Sequence, residues 1–290
     1  MKRTLAAAAL AATSLAAHAG TLEKVAESGK ITLSYRESSV PFSYLEAPGK
    51  PIGFAVDIAK AVADAVSKQV GKPIRVEWMA VTSGNRIPLV QNGTVDLECG
   101  STTNNTTRGK DVDFAINHYY TGTRLLVKKA SGIQNYADLK DKTVASTTGT
   151  TNAQVLRKYD ADKNIGMKIT LARDHADAFL MVEGDRAAAF GMDDILLYGL
   201  KANAKQPDLY DVVGDALQVE PYACMLRKDD PAFKKLVNDV IGGMMASGQF
   251  EKLYDKWFVQ PIPPRNLPLN VPMSAELKAN LSNRSDKPAL

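Results

Sequence analysis

Arginine, serine and threonine recur in this chain at one kind of place: just after a strand-like segment, or at the opening of a helix. Arg36 follows the strand-like run Ile31 to Tyr35. Ser83 and Arg86 follow Arg75 to Val81 and lie three residues apart at a helix start, so both can face one point. Ser101 and Thr103 follow Val95 to Cys99, and Arg108 comes after a short polar loop. In the second half, Thr151 ends the polar run from Thr147 and meets a helix whose free N–H groups favour an anion. His175 begins another helix, and Asp193 and Asp194 follow a strand that ends near Gly191.

Taken singly, each has a plain structural explanation. Ser and Thr at helix starts are usually caps, and a lone Arg is usually a solvated surface charge. Asp193 or Asp194 can cap the helix containing Leu196, and His175 serves packing equally well. The functional reading gains from the set, because six separate elements place such groups at one topological edge. Chemically the set suits a zwitterion with an extra carboxylate. Arg108 can clamp one carboxylate through two parallel bonds, with hydroxyls and backbone N–H groups completing it. An Asp such as Asp193 takes the ammonium. Arg36, Ser83, Arg86 and His175 exceed what a neutral side chain needs and match a second carboxylate, whose burial demands a cation. A cationic ligand would be repelled.

Catalysis has little raw material. The chain contains no Gly-rich phosphate loop of either standard spacing and no Gly-x-Ser-x-Gly elbow. Beyond His18, the histidines are His118 and His175, neither in a metal-ligand spacing. Neither a cofactor nor a metal site is expected.

The scaffold that must position these groups is written in the hydrophobic pattern. Ile58, Val62, Val66 and Val70 recur every four residues, the mark of an amphipathic helix. Around it, strand-like segments (31–35, 75–81, 95–99, 123–127, 143–146, 169–172, 187–190) alternate with helix-like ones (86–90, from 152, 175–182, 195–200). Such alternation predicts an α/β protein with mostly parallel sheets. Tyr222 to Leu226 reads as one more strand, followed by a long helical stretch through Phe233, Leu236, Val240, Met244 and Phe250. From Pro261 on, Pro and Asn are frequent, and an extended tail rather than a domain is expected. Two α/β units in one chain put the default ligand site in the cleft between them.

The N-terminus bears on compartment. Lys2 and Arg3 precede an Ala/Leu-rich run from Leu5 to Ala17 that closes on Ala17-His18-Ala19, a small-x-small pattern, so residues 1–19 read as a cleaved signal peptide. The run is too short for a membrane anchor, and no cysteine near the cleavage point offers a lipid attachment. The expected product is a soluble periplasmic protein. Its formal charge falls from +4 to about +2 with the leader gone, too near neutral for a nucleic-acid surface. Cys99 and Cys224 are the only cysteines. In an oxidising compartment the pair favours one structural disulfide over two buried thiols.

Several longer segments carry a family resemblance. They are Arg36 to Tyr44 (Arg-Glu-Ser-Ser-Val-Pro-Phe-Ser-Tyr), Asn85 to Leu89, Glu98 to Asn105, Gly122 to Leu126, Ala223 to Pro231 and Pro261 to Pro264. Through them the chain resembles the periplasmic solute-binding proteins of ABC transporters for polar amino acids (solute-binding protein family 3), nearest to the glutamate/aspartate-binding members. The resemblance runs from Thr21 into the tail. It implies a two-lobed α/β fold of the type II periplasmic binding-protein kind, with two mixed sheets flanked by helices and a ligand cleft between lobes. The first lobe would comprise residues 20–119 and 222–260, the second residues 120–221, with an extended tail at 261–290 associated with the first. Both cysteines then fall in the first lobe, which makes the disulfide geometrically feasible.

By the same resemblance, Ser101, Thr103 and Arg108 hold the backbone end of the ligand, with Thr151 adding hydrogen bonds from the second lobe and Asp193 taking the ammonium. Arg36, Ser83, Arg86 and His175 surround the side-chain carboxylate. The implied partners are L-glutamate or L-aspartate, unranked, and an inner-membrane ABC permease, for a monomer that binds no nucleic acid. Two rivals share the scaffold: an enzyme of the cyclohexadienyl dehydratase kind, and a ligand-sensing module. The enzyme would need a general acid or base projecting unpaired into the cleft.

Overall fold

The computed structural model describes residues 20–290. The expected signal peptide, residues 1–19, lies outside them. The chain forms two five-stranded mixed sheets, one in each of two lobes. In the first, the strands run in the order Arg75–Ala80, Lys30–Tyr35, Leu97–Glu98, Glu220–Arg227, Val112–Thr121. The first three are parallel and the last two antiparallel to their neighbours. The second sheet has the order Lys168–Ala172, Thr143–Thr147, Ala189–Asp193, Thr123–Lys128, Tyr210–Val213. Here too three parallel strands meet two antiparallel ones.

The parallel strands present their C-terminal ends to one another across the lobes, where crevices form in open α/β sheets. Helix Phe54–Gln69 backs the first sheet because Ile58, Val62 and Val66 are all buried on one face, together with Phe54 and Ala59. Gly53 before it and Gly71 after it have positive φ, which punctuates both ends.

The strand Val112–Thr121 was not legible as a strand, yet it joins the lobes. It ends at Thr121, and after Gly122 the chain continues as Thr123–Lys128 in the other sheet. The return is Glu220–Arg227, and the two crossings pair antiparallel through Glu220 with Thr121, Pro221 with Tyr120 and Tyr222 with Tyr119. Gly122 is required there: a Cβ would lie 2.5 Å from the Gln218 carbonyl oxygen of the returning segment. Aromatic rings fill the space beneath this junction, with Phe42 packed edge-on against Tyr119 at 4.9 Å and Tyr222 at 5.2 Å between centroids. A Cys99–Cys224 disulfide then ties the start of the Gly100–Thr103 loop to the returning strand.

Two expectations need correction. The helical stretch through Phe233 and Phe250 is not continuous: Pro231–Ala246 ends, Gly248 turns left-handed, and Gln249–Tyr254 follows. Only a residue free of Cβ strain makes that break cheaply. The tail from Pro261 is not wholly extended, because Ala275–Asn283 is a helix. Ser274 accepts a hydrogen bond from the Leu277 N–H as its cap, and Leu277 and Asn280 are buried against the first lobe. Beyond the helix, the chain lies along the loop and strand that carry Asn104 and Asn117. Asn104 donates to the Asp286 carbonyl and Asn117 to that of Lys287.

His118 lies wholly buried on the crossing strand, close to Phe42 and Phe54. Burial drives its pKa down to about 4, against a raising hydrogen bond to the Gly100 carbonyl. The unfolded chain, with a histidine near pH 6.5, therefore binds a proton that the fold refuses. Stability falls as pH drops from that value, and between pH 7 and 5 this one group removes about 2 kcal/mol. Urea midpoints measured across that range should fall steeply in the native protein. His118→Gln should flatten the fall by that share; an unchanged slope would show that His118 is protonated in the fold.

Candidate functional site

Between the facing sheet edges lies a small cavity lined from both lobes. Ser83, Arg86, Ser101 and Thr103 form its first-lobe wall. Thr150, Thr151, Asn152, His175 and Asp193 form the opposite wall, where Met192 and Leu196 supply the apolar part. The structure thus brings seven of the nine sequence-selected residues onto one surface. Arg36 and Arg108 are not on it. Both are nevertheless buried beside it, and each crosses between the lobes.

Arg36 donates from Nη2 to Asp174 Oδ1 at 3.0 Å and lies 3.3 Å from His175 Nε2. Arg108 donates from Nη1 to the Thr103 carbonyl at 2.9 Å and from Nη2 to that of Gly149 at 3.2 Å. Arg86, at a helix start, donates to the Ser101 carbonyl at 3.2 Å. Burial, with Arg108 and Arg36 adding repulsion against the pull of Glu98, lowers the Arg86 pKa to about 9. Nε and Nη1 of Arg36, Nε of Arg86 and the Ser83 hydroxyl are buried without a protein partner among the described residues. Buried donors of this kind normally have partners, and a carboxylate satisfies guanidinium groups best.

His175 stays neutral. Burial and Arg36 push its pKa down to about 3, with Asp174 opposing. Arg36 can only donate, so Nε2 must be the acceptor and the ring proton sits on Nδ1, which donates to Thr147 Oγ1 at 2.9 Å. Asp174 caps the same helix by accepting from the His175 N–H.

The second-lobe wall also carries a carboxylate. Asp193 accepts from Asn152 Nδ2 at 2.7 Å and from the Tyr222 hydroxyl. Burial and the nearby Glu220 carboxylate raise its pKa. Asp194 is elsewhere: it accepts from Thr121 Oγ1 and the Ile195 N–H, a helix-cap role beside the crossing. Sequence reasoning missed Asp174, Asn152, Glu220 and Tyr222. Asp174 and Asn152 flank selected residues and were open to discovery as helix-start polar groups. Glu220 and Tyr222 sit on a strand whose partners lie about a hundred residues away in sequence, and nothing local marks them.

In sequence and fold alike, the chain has close counterparts. It is 53% identical over 272 residues, 93% of this chain and 90% of the relative, to the L-glutamate/L-aspartate-binding protein of Pseudomonas aeruginosa. It is 48% identical over 268 residues, 92% of this chain and 89% of the relative, to the glutamate/aspartate import solute-binding protein of Escherichia coli. Among solved structures, a mutant of the arginine-binding protein from T. maritima superposes with a TM-score of 0.72 at 26% identity. That superposition covers 81% of this chain and 98% of the other, and it matches the two-lobed periplasmic binding-protein-like fold. The model of bacterial extracellular solute-binding proteins, family 3, matches residues 31–260, and with the relatives above it shows that the chain belongs to this family.

Proposed function

We propose that this protein captures L-glutamate or L-aspartate in the periplasm, after loss of residues 1–19, and delivers it to an inner-membrane ABC permease. The observation that carries this reading is the polarity of one cavity: Arg86 and Ser83, with buried unpartnered polar atoms, on its first-lobe wall, and Asp193 on the other. An amino acid with a second carboxylate answers both. The side-chain carboxylate would face Arg86, Ser83 and His175, with Arg36 behind the wall. Ser101 and Arg108 would take the α-carboxylate, while Asp193, Thr103 and Thr151 take the ammonium.

Residues 20–119 and 222–260, with the tail 261–290, would form one rigid body and residues 120–221 the other. Ligand touching both would favour the closed arrangement, because only that arrangement makes both sets of contacts. Capture without chemistry is the reading favoured over an enzyme, since both cavity-side acids are paired. Asp193 is held by Asn152 and Tyr222, and Glu220 by two threonines. A monomeric state completes the proposal.

Isothermal titration of the ligand-stripped mature protein with glutamate, aspartate, glutamine and arginine tests it. Either acidic amino acid should bind at least about 100-fold more tightly than glutamine, because a neutral side chain leaves buried arginines unmatched. Arginine should give no heat. Equal affinity for glutamine and glutamate would remove the second-carboxylate assignment.

A further inference from the structure

Glu220 is fully buried on the returning crossing strand, behind the cavity wall rather than on it. Its Oε2 accepts from Thr103 Oγ1 of the first lobe at 2.5 Å and from Thr151 Oγ1 of the second at 2.6 Å. Its other oxygen accepts from the Gln218 side-chain amide. The two threonine oxygens are 3.3 Å apart.

A hydroxyl carries one proton, and each of these two donates to Glu220 Oε2. Both threonine protons are therefore committed to Glu220, and toward the cavity both oxygens can only accept. Asp193, itself accepting from Asn152 and Tyr222, adds a third acceptor. Three acceptors line the same cavity, which complements the three N–H bonds of a protonated amine. Without Glu220, either hydroxyl could turn and donate, and the corner would accept a carboxylate or a carbonyl oxygen almost as well.

We propose that Glu220 is a positioning residue that fixes the polarity of Thr103 and Thr151 and so makes this corner selective for an ammonium group. The inference rests on the amino-acid reading of the cavity. It goes further in assigning the discrimination between an amino acid and its des-amino analogue to a side chain that does not touch the ligand.

The test compares glutamate with glutarate, which keeps both carboxylates and lacks the ammonium, by calorimetry at up to millimolar ligand. In Glu220→Ala, glutamate affinity should fall by at least about tenfold, while glutarate affinity changes less than about threefold, so the preference for the amine narrows. Glu220→Gln should restore most of the preference, because its carbonyl oxygen still accepts from both hydroxyls once the Gln218 amide turns. Should Glu220→Ala fail to fold, Thr151→Val, near-isosteric and lacking one oriented oxygen, should show the same selective loss. Parallel losses for both ligands would reduce Glu220 to a structural role and overturn the inference, as would no loss for either. Wild-type protein that binds no amino acid would instead overturn the parent reading, an outcome visible before any variant is made.

Discussion

Replacing Arg86 by Ala is expected to lower glutamate affinity by at least about 100-fold, the loss typical of stripping a buried charge of its partner. The same replacement should leave the ligand-free protein as stable as before, or more stable. These opposite signs have one cause. Without ligand, Arg86 is a buried cation with a single backbone acceptor, repelled by Arg108 and Arg36 more than Glu98 attracts it. Removing such a charge relieves a desolvation cost. With a carboxylate in place the same charge is matched, and its removal leaves the ligand's charge buried alone. Glutamine, which brings no second carboxylate, should lose far less. Calorimetry and ligand-free thermal melts on one preparation read both signs. Unchanged glutamate affinity would take Arg86 out of the site.

Gly149→Ala should weaken glutamate binding by about ten- to 100-fold through closure rather than through contacts. Gly149 lies in the second lobe, where a Cβ would stand 2.6 Å from Gly84 Cα and 2.7 Å from the Ser83 carbonyl oxygen of the first. Both are backbone atoms, which cannot swing aside as a flexible side-chain end could. The φ of +78° at Gly149 adds left-handed strain of roughly 1 kcal/mol for any other residue. That strain is local and present whether the lobes are together or apart, so it lowers the melting temperature without shifting closure. The clash exists only when the lobes meet, so it appears as faster ligand release. Stopped-flow dissociation separates the two effects. A lower melting temperature with an unchanged off-rate would mean that closure does not require this contact.

Much of the candidate site was legible because its polar residues follow strand ends and open helices, positions that a linear reading recognises. Ser83 and Arg86 illustrate this: one short turn places both on the cavity wall. Sequence drew Arg36 and Arg108 to the same region, but it could not say that they lie behind the wall and bridge the lobes. The choice between Asp193 and Asp194 needed geometry, since neighbouring residues at a strand-to-helix turn point in different directions. Glu220 was invisible because its meaning depends on Thr103 and Thr151, which only the two crossings bring together.

The fold divides in the same way. Alternating periods marked the parallel strands and the Phe54–Gln69 helix. The strand Val112–Thr121 escaped because it carries Asn117, His118 and Thr121 among its buried residues and pairs with a segment far along the chain. Its His118 Nε2 and Asn117 Nδ2 meet distant carbonyls, those of Gly100 and Lys287, while His118 Nδ1 has no partner among the described residues. The Ala275–Asn283 helix escaped because its stability comes from docking Leu277 and Asn280 rather than from local propensity.

A crystal structure of the mature protein with glutamate tests the central claim most directly. The account predicts the side-chain carboxylate within about 3 Å of Arg86 and Ser83, and the ammonium at like distance from Asp193, Thr103 and Thr151. A ligand seated outside this cavity, or turned so that its ammonium faces Arg86, would contradict it.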